Sequence, residues 1–176
     1  MEVKLAEEPA RYEEGVERLL RLHAAELDPL SAGLPRDEAL TGPVPTYAKP
    51  FLKQALGSHL IVALDDDERV IGALCFRRCT RERLADWTPS AHVTFTLVAA
   101  DHRGEGVARS LNERFVNNAA LRLSEVTHIT RETWSSNRAS RSYIESAGFD
   151  EVDRIPDDRG PGVDTLFYAR EIDAAM

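Results

Sequence analysis

The stretch Thr96-Leu97-Val98-Ala99-Ala100-Asp101-His102-Arg103-Gly104-Glu105-Gly106-Val107-Ala108-Arg109-Ser110-Leu111 decides how this chain is read. Its apolar start suits the end of a buried strand, and Arg109-Ser110-Leu111 opens a helix. Two glycines in three residues, Gly104 and Gly106, let the backbone turn tightly and come close to a ligand. The first amides of a helix have no partner inside it, so with the helix dipole they form an anion site. Arg103 and Arg109 add positive charge and forked donors suited to phosphate. The strand end Leu97, Val98 and Ala99, followed by Arg103, Gly104, Glu105, Gly106, Val107, Ala108 and Arg109, therefore reads as a pyrophosphate site. An ordinary strand-to-helix turn is the alternative that this segment alone leaves open.

Two other glycine-loop readings fit less well. A P-loop needs a Gly-Lys pair, and the chain has none. A Rossmann fingerprint needs a third spaced glycine near the start of a βαβ domain, whereas this loop lies past mid-chain. The pattern Arg103, Gly106, Ala108 instead resembles the Arg/Gln-x-x-Gly-x-Gly/Ala motif of the GCN5-related N-acetyltransferases (the GNAT family). Further on, Asn137-Arg138-Ala139-Ser140-Arg141-Ser142-Tyr143-Ile144-Glu145-Ser146-Ala147-Gly148-Phe149 resembles that family's Asn-x-x-Ala-x-x-Leu-Tyr-x-x-x-Gly-Phe. Asn137 is a good helix N-cap and Gly148 a good terminator. The two motifs stand in the family's order and cover the last two-thirds of the chain.

The resemblance implies an α/β chain with a single mixed, mostly antiparallel sheet of about six to seven strands flanked by helices. It implies acetyl-coenzyme A as co-substrate, held at the loop and at Asn137, an amine acceptor, and room for a homodimer.

Length and composition agree with one domain over residues 1–176. The chain is 43% hydrophobic and 30% charged, ordinary for a globular protein. No run of about 18 apolar residues is present, so no membrane span is expected. Met1-Glu2-Val3-Lys4-Leu5 lacks the basic and apolar parts of a secretory signal, and the cytoplasm is the expected location. A net charge of −8 argues against nucleic acid as partner and leans weakly toward a cationic amine. Cys75 and Cys79 are too few for a disulfide scaffold, and the five histidines show no metal-ligand spacing, so no metal is expected.

Along the chain, Val3–Leu5 reads as a strand and Ala10–Leu27 as a helix with Val16, Leu19, Leu20, His23 and Leu27 on one face. Five prolines fall in residues 28–50, which reads as a loop; the resemblance places it over the acceptor. Tyr47–Leu56 reads as a second helix, and 60–64 with 70–76 as a hairpin around a solvated acidic turn. From Ala91 the alternation sets Val93, Phe95 and Leu97 against His92, Thr94 and Thr96. The next helix carries Ala108, Leu111, Phe115 and Ala119 on one stripe. Strands are expected at 126–130, 149–155 and 163–171.

Acetyl transfer to an amine needs a proton acceptor, because a primary amine is only about one part in a thousand neutral at pH 7. Glu132, five residues before Asn137, resembles the glutamate that precedes the capping asparagine in the family's protein N-terminal amine branch. His92, Thr94 and Thr96 share a strand face and could order a relaying water. The family's proton-donating tyrosine stands seven after the asparagine, and here that position is Ile144. Tyr143 is one residue earlier, about 100° away around a helix. Tyr143 as the acid and Tyr143 as a packing residue therefore both stay open. So do an enzyme and a non-catalytic acyl-coenzyme A sensor of the same fold.

Overall fold

The computed structural model describes residues 1–23 and 49–172. Its elements, in chain order, are β1 (Glu2–Leu5), α1 (Glu13–Leu22), α2 (Lys49–Leu56), β2 (His59–Leu64), β3 (Val70–Arg78) and β4 (Ser90–Val98). Then come α3 (Val107–Arg122), β5 (His128–Trp134), α4 (Arg138–Ser146), β6 (Asp150–Ile155) and β7 (Thr165–Glu171). Seven strands form one sheet in the order β1-β2-β3-β4-β5-β7-β6. The β1/β2, β2/β3, β5/β7 and β6/β7 pairs are antiparallel. β4 and β5 run parallel, with Ser90 opposite His128 and Val93 opposite Arg131. The mixed, mostly antiparallel sheet flanked by helices is the architecture expected from the sequence.

By compactness the chain divides into Met1–Phe76 with Phe95–Asn118, and Arg77–Thr94 with Ala119–Met176. In the first unit, period-2 alternation sorts each strand between two layers. Ala73, Cys75, Phe95, Leu97 and Ala99 join Val16, Leu19 and Leu20 of α1 in one buried cluster. On the opposite face, Val107, Leu111 and Phe115 recur every four residues along α3 and are buried. Phe76 packs on Phe115 with ring centroids 4.8 Å apart. Gly72 makes this layer close: a Cβ there would stand 2.8 Å from Val107 Cγ1 and 3.1 Å from Leu111 Cδ1. The buried stripe thus begins at Val107 and not at Ala108, which is only partly buried.

In the second unit, Leu84 and Phe167 are enclosed with Cys79 against Trp87, Val152 and Ile155. The β5/β7 ladder runs unbroken from His128–Glu171 to Trp134–Thr165. Cross-strand pairing therefore carries β5 past the expected end at residue 130 and puts Glu132 inside the strand. β6 and β7 begin at Asp150 and Thr165, a residue or two later than expected.

The first helix is shorter than its apolar stripe suggests. Pro9–Tyr12 makes a 3₁₀ turn, α1 begins at Glu13, and the helix is capped at His23. The expected continuation to Leu27, the start of the second helix at Tyr47 and the proline-rich loop up to residue 48 lie outside the described residues.

Candidate functional site

Two clusters of chemistry-bearing residues emerge, one in each unit. The first is the turn between β4 and α3. Ala99 N donates to Ile71 O at 2.8 Å, and a 3₁₀ turn over Ala100–His102 follows. Gly104 and Gly106 then take φ of +80° and +84°, a region that an L side chain enters at about 1–2 kcal/mol. Ser110 N donates to Gly106 O at 3.0 Å, so the helical bonds begin there and the amides just after Gly106 lack intrahelical acceptors. Among the described residues, chain neighbours aside, no atom lies within 4 Å of a Cβ built on either glycine. Arg103, Glu105 and Arg109 are exposed, while Leu97, Ala99 and Val107 are buried and fix the turn to the core. Val98 and Ala108 are partly buried. An open, rigidly based run of amide donors beside two guanidiniums fits a di-anion.

Two histidines support this turn. Arg103 Nη2 donates to His23 Nδ1 at 2.7 Å; a guanidinium only donates, so Nδ1 carries no proton. His23 is buried at the end of α1, where the sequence reads simply as an apolar stripe. His102 Nδ1 pairs with Glu105 Oε2 at 3.0 Å, and this bond chiefly raises the His102 pKa above its ordinary 6.5.

The second cluster surrounds Glu132 on β5. Arg81 Nη2 stands 2.8 Å from Glu132 Oε2, near enough for an ion pair but not aligned as a hydrogen bond. Arg159 Nη2 lies 3.5 Å from Oε1, and His92 Nε2 lies 4.0 Å from Oε2. His92 is buried, with Nδ1 3.0 Å from Thr130 Oγ1. Burial pushes its pKa down to about 3, helped by the charges of Arg81, Arg77 and Arg131. The imidazole is therefore neutral at working pH. The buried hydroxyl of Thr94, two residues along β4 from His92, has no hydrogen-bond partner among the described residues, and in the first unit the same holds of Thr96.

Asn137 caps α4, its Oδ1 accepting from Ser140 N at 3.1 Å. The helix then keeps its phase, with Arg141 N bonded to Asn137 O and Ala147 N to Tyr143 O. Gly148 follows at φ +78°. No register shift moves Tyr143 into the place of Ile144, which is buried. The Tyr143 ring instead lies beside the buried Arg131 guanidinium, 5.9 Å from ring centroid to Cζ. Arg131 and Glu132 are adjacent on β5, so they face opposite sides of the sheet. Tyr143 and Glu132 are thus not brought onto one face.

The sequence singles out Glu132 as a candidate base but does not point to the neighbours the structure gives it, Arg81 and Arg159, which lie in loops with no local signature. Among the described residues no group of three or more His, Cys, Asp or Glu side chains could hold a metal. No helix among them is long and apolar enough to cross a membrane.

The family model of the acetyltransferase (GNAT) family matches residues 16–149. The fold is similar to smu.2055 from Streptococcus mutans UA159, at 20% identity and TM-score 0.73, over 98% of this chain and 100% of that one. It is also similar to the ribosomal-protein-alanine N-acetyltransferase from Brucella melitensis, at 19% identity and TM-score 0.67, over 97% and 99% of the two chains. An aminoglycoside 6'-acetyltransferase type Ii matches at 15% identity and TM-score 0.70, over 98% and 97%. At these identities the likeness speaks for the fold alone. Among curated proteins none matches the chain significantly.

Proposed function

The chain belongs to the GNAT acetyltransferase family, and from that premise we propose that it is an acetyl-coenzyme A-dependent N-acetyltransferase acting on a primary amine. The observation that carries this reading is the turn at Arg103–Arg109. Its positive-φ glycines, open surroundings and helix N-terminus suit the pyrophosphate of coenzyme A. Leu97, Val98 and Ala99 border that turn, and Asn137 is the further residue assigned to the cofactor.

In this scheme the neutral amine attacks the thioester carbonyl carbon. A C–N bond forms, the tetrahedral oxyanion collapses, the C–S bond breaks, and coenzyme A leaves as thiolate. The amine's proton passes to Glu132, directly or through water ordered by His92, Thr94 and Thr96. Such general base catalysis contributes about 10²–10⁴ in rate. An incoming amine displaces Arg81 from Glu132, a contact already misaligned. The thiolate is protonated by water, since Ile144 stands where the family has tyrosine and Tyr143 lies against Arg131. The whole chain acts as one acetyltransferase domain in the cytoplasm, without nucleic acid or metal, and the proline-rich segment 28–50 contributes to acceptor choice.

Ile144 also favours a second reading, a non-catalytic acyl-coenzyme A sensor. Mixing the purified protein with acetyl-coenzyme A and a panel of amines, and following free thiol, separates the two. Amine-dependent thiol release is expected. Coenzyme A binding with no release on any amine would make the protein a sensor.

A further inference from the structure

The surroundings of Glu132 carry more positive than negative charge, in a chain whose net charge is −8. One carboxylate stands between Arg81 and Arg159, and the neighbouring His92 is uncharged. Two acids of the same unit pair with other arginines. Asp153 pairs with Arg83 at 2.9 Å and Asp164 with Arg154 at 2.7 Å. Asp158 accepts at 2.6 Å from the Thr165 hydroxyl, which itself accepts from Arg159. This carboxylate therefore offsets part of the Arg159 charge, while among the described residues no second acid is set against Arg81. Arg77 adds a further positive charge on the His92 side.

The two arginines differ in how firmly they are held. Arg159 donates Nε to Thr165 Oγ1 at 2.8 Å, lies 5.6 Å from the centroid of the Trp134 ring, and is only 13% exposed. It forms a fixed wall beside Glu132. Arg81 is 47% exposed and touches Glu132 without an aligned hydrogen bond. It can therefore turn toward a ligand while losing no directional contact. A simple cationic amine entering here would gain Glu132 but meet two guanidiniums. A molecule carrying a carboxylate a few bonds from its amine would meet both signs of charge in the order the protein presents them.

We propose that the acceptor is a small zwitterionic amino acid whose ammonium group pairs with Glu132 and whose carboxylate is received by Arg81. The proposal rests on the acetyltransferase reading for the reaction, but the recognition it describes is a binding property in its own right. The 2.8 Å spacing of Arg81 and Glu132 matches a substrate whose opposite charges are close together, as in an α-amino acid. Binding replaces one poorly aligned ion pair with two, and a bidentate guanidinium–carboxylate contact becomes available.

The test uses the full chain loaded with acetyl-coenzyme A for turnover, and with coenzyme A for calorimetric binding. The probes are several L-amino acids, each beside its own carboxamide. Amidation removes the charge and lowers the pKa of the neighbouring amine, so intrinsic reactivity at pH 7 favours the amide. A preference for the acid must therefore come from the protein. We expect the acids to be used or bound about 10- to 100-fold better than their amides, the range of one charged hydrogen-bond contact. Arg81→Gln, at a half-exposed position, should bring that ratio close to one with the melting temperature nearly unchanged. Amides used as well as acids by the wild-type protein would overturn the proposal while leaving the acetyltransferase reading intact. Amino acids that bind selectively without releasing thiol would support it and remove the catalytic reading. Failure of the acids both to bind and to turn over would overturn it.

Discussion

Lowering the pH from 7 to 5 charges His92 in the unfolded chain but not in the folded one. Its folded pKa is about 3, against 6.5 when exposed to water. The physical cause is desolvation first, then the like charges of Arg81, Arg77 and Arg131; the Glu132 carboxylate 4.0 Å away does not offset them. Between pH 3 and 6.5 the unfolded state binds more protons, so stability falls as pH falls through this window. At pH 5 the unfolded imidazole is about 97% protonated and the folded one about 1%, which amounts to a loss of about 2 kcal/mol relative to pH 7. Any folded pKa below 4 gives nearly the same figure. Urea denaturation at the two pH values, for the wild type and for His92→Asn, measures it. Asparagine can still hydrogen-bond Thr130 but does not titrate. Whatever the substitution itself costs cancels in the difference between pH values. The variant should lose about 2 kcal/mol less than the wild type on acidification. An identical pH dependence in both proteins would refute the reasoning, as would an NMR titration placing the His92 ring near 6.5.

Further outcomes concern the two candidate sites. Gly106→Val adds a Cβ that meets no atom of the described residues but forces a valine to φ near +84°, so the fold should survive with a penalty of about 1–2 kcal/mol. Coenzyme A affinity should disappear, and calorimetry finding it unchanged in a folded variant would remove the phosphate role of the loop. Glu132→Gln should lower turnover about 10²-fold near pH 7 with cofactor affinity retained. The deficit should shrink at high pH, where the amine is already neutral; wild-type rates at every pH would shift the proton to water. Tyr143→Phe keeps the ring beside Arg131 and should cost about 1 kcal/mol in stability, with turnover nearly intact. A large fall in turnover with normal coenzyme A binding would instead make Tyr143 the acid.

What could be read from the sequence was what is encoded in contiguous residues. The turn at Gly104 and Gly106 needs positive φ, which glycine supplies, and the helix after it follows from the spacing of Leu111, Phe115 and Ala119. The cap at Asn137 and the stop at Gly148 fix the phase of α4, so the displacement of Tyr143 from Ile144 was arithmetic on one helix. Where an element depends on its neighbours, local reading fell short. β5 extends to Trp134 because β7 pairs with it along its whole length. No residue near Thr130 announces that.

The setting of Glu132 lies further still from local reading, because it is assembled from four separate parts of the chain. Arg81 comes from the segment after β3, His92 from β4, Glu132 from β5 and Arg159 from the β6–β7 loop. Whole-chain charge is a poor guide to such a place. Exposed charges beyond a Debye length of about 8–10 Å are largely screened, while contacts of 2.8–4.0 Å act at nearly full strength in a partly buried site. The −8 of the chain leans toward a cationic acceptor, yet the carboxylate that would greet an amine is bracketed by arginines. Acceptor charge should therefore track substitutions at Arg81 and not changes in surface acidity elsewhere, and raising the ionic strength should weaken acceptor recognition only modestly.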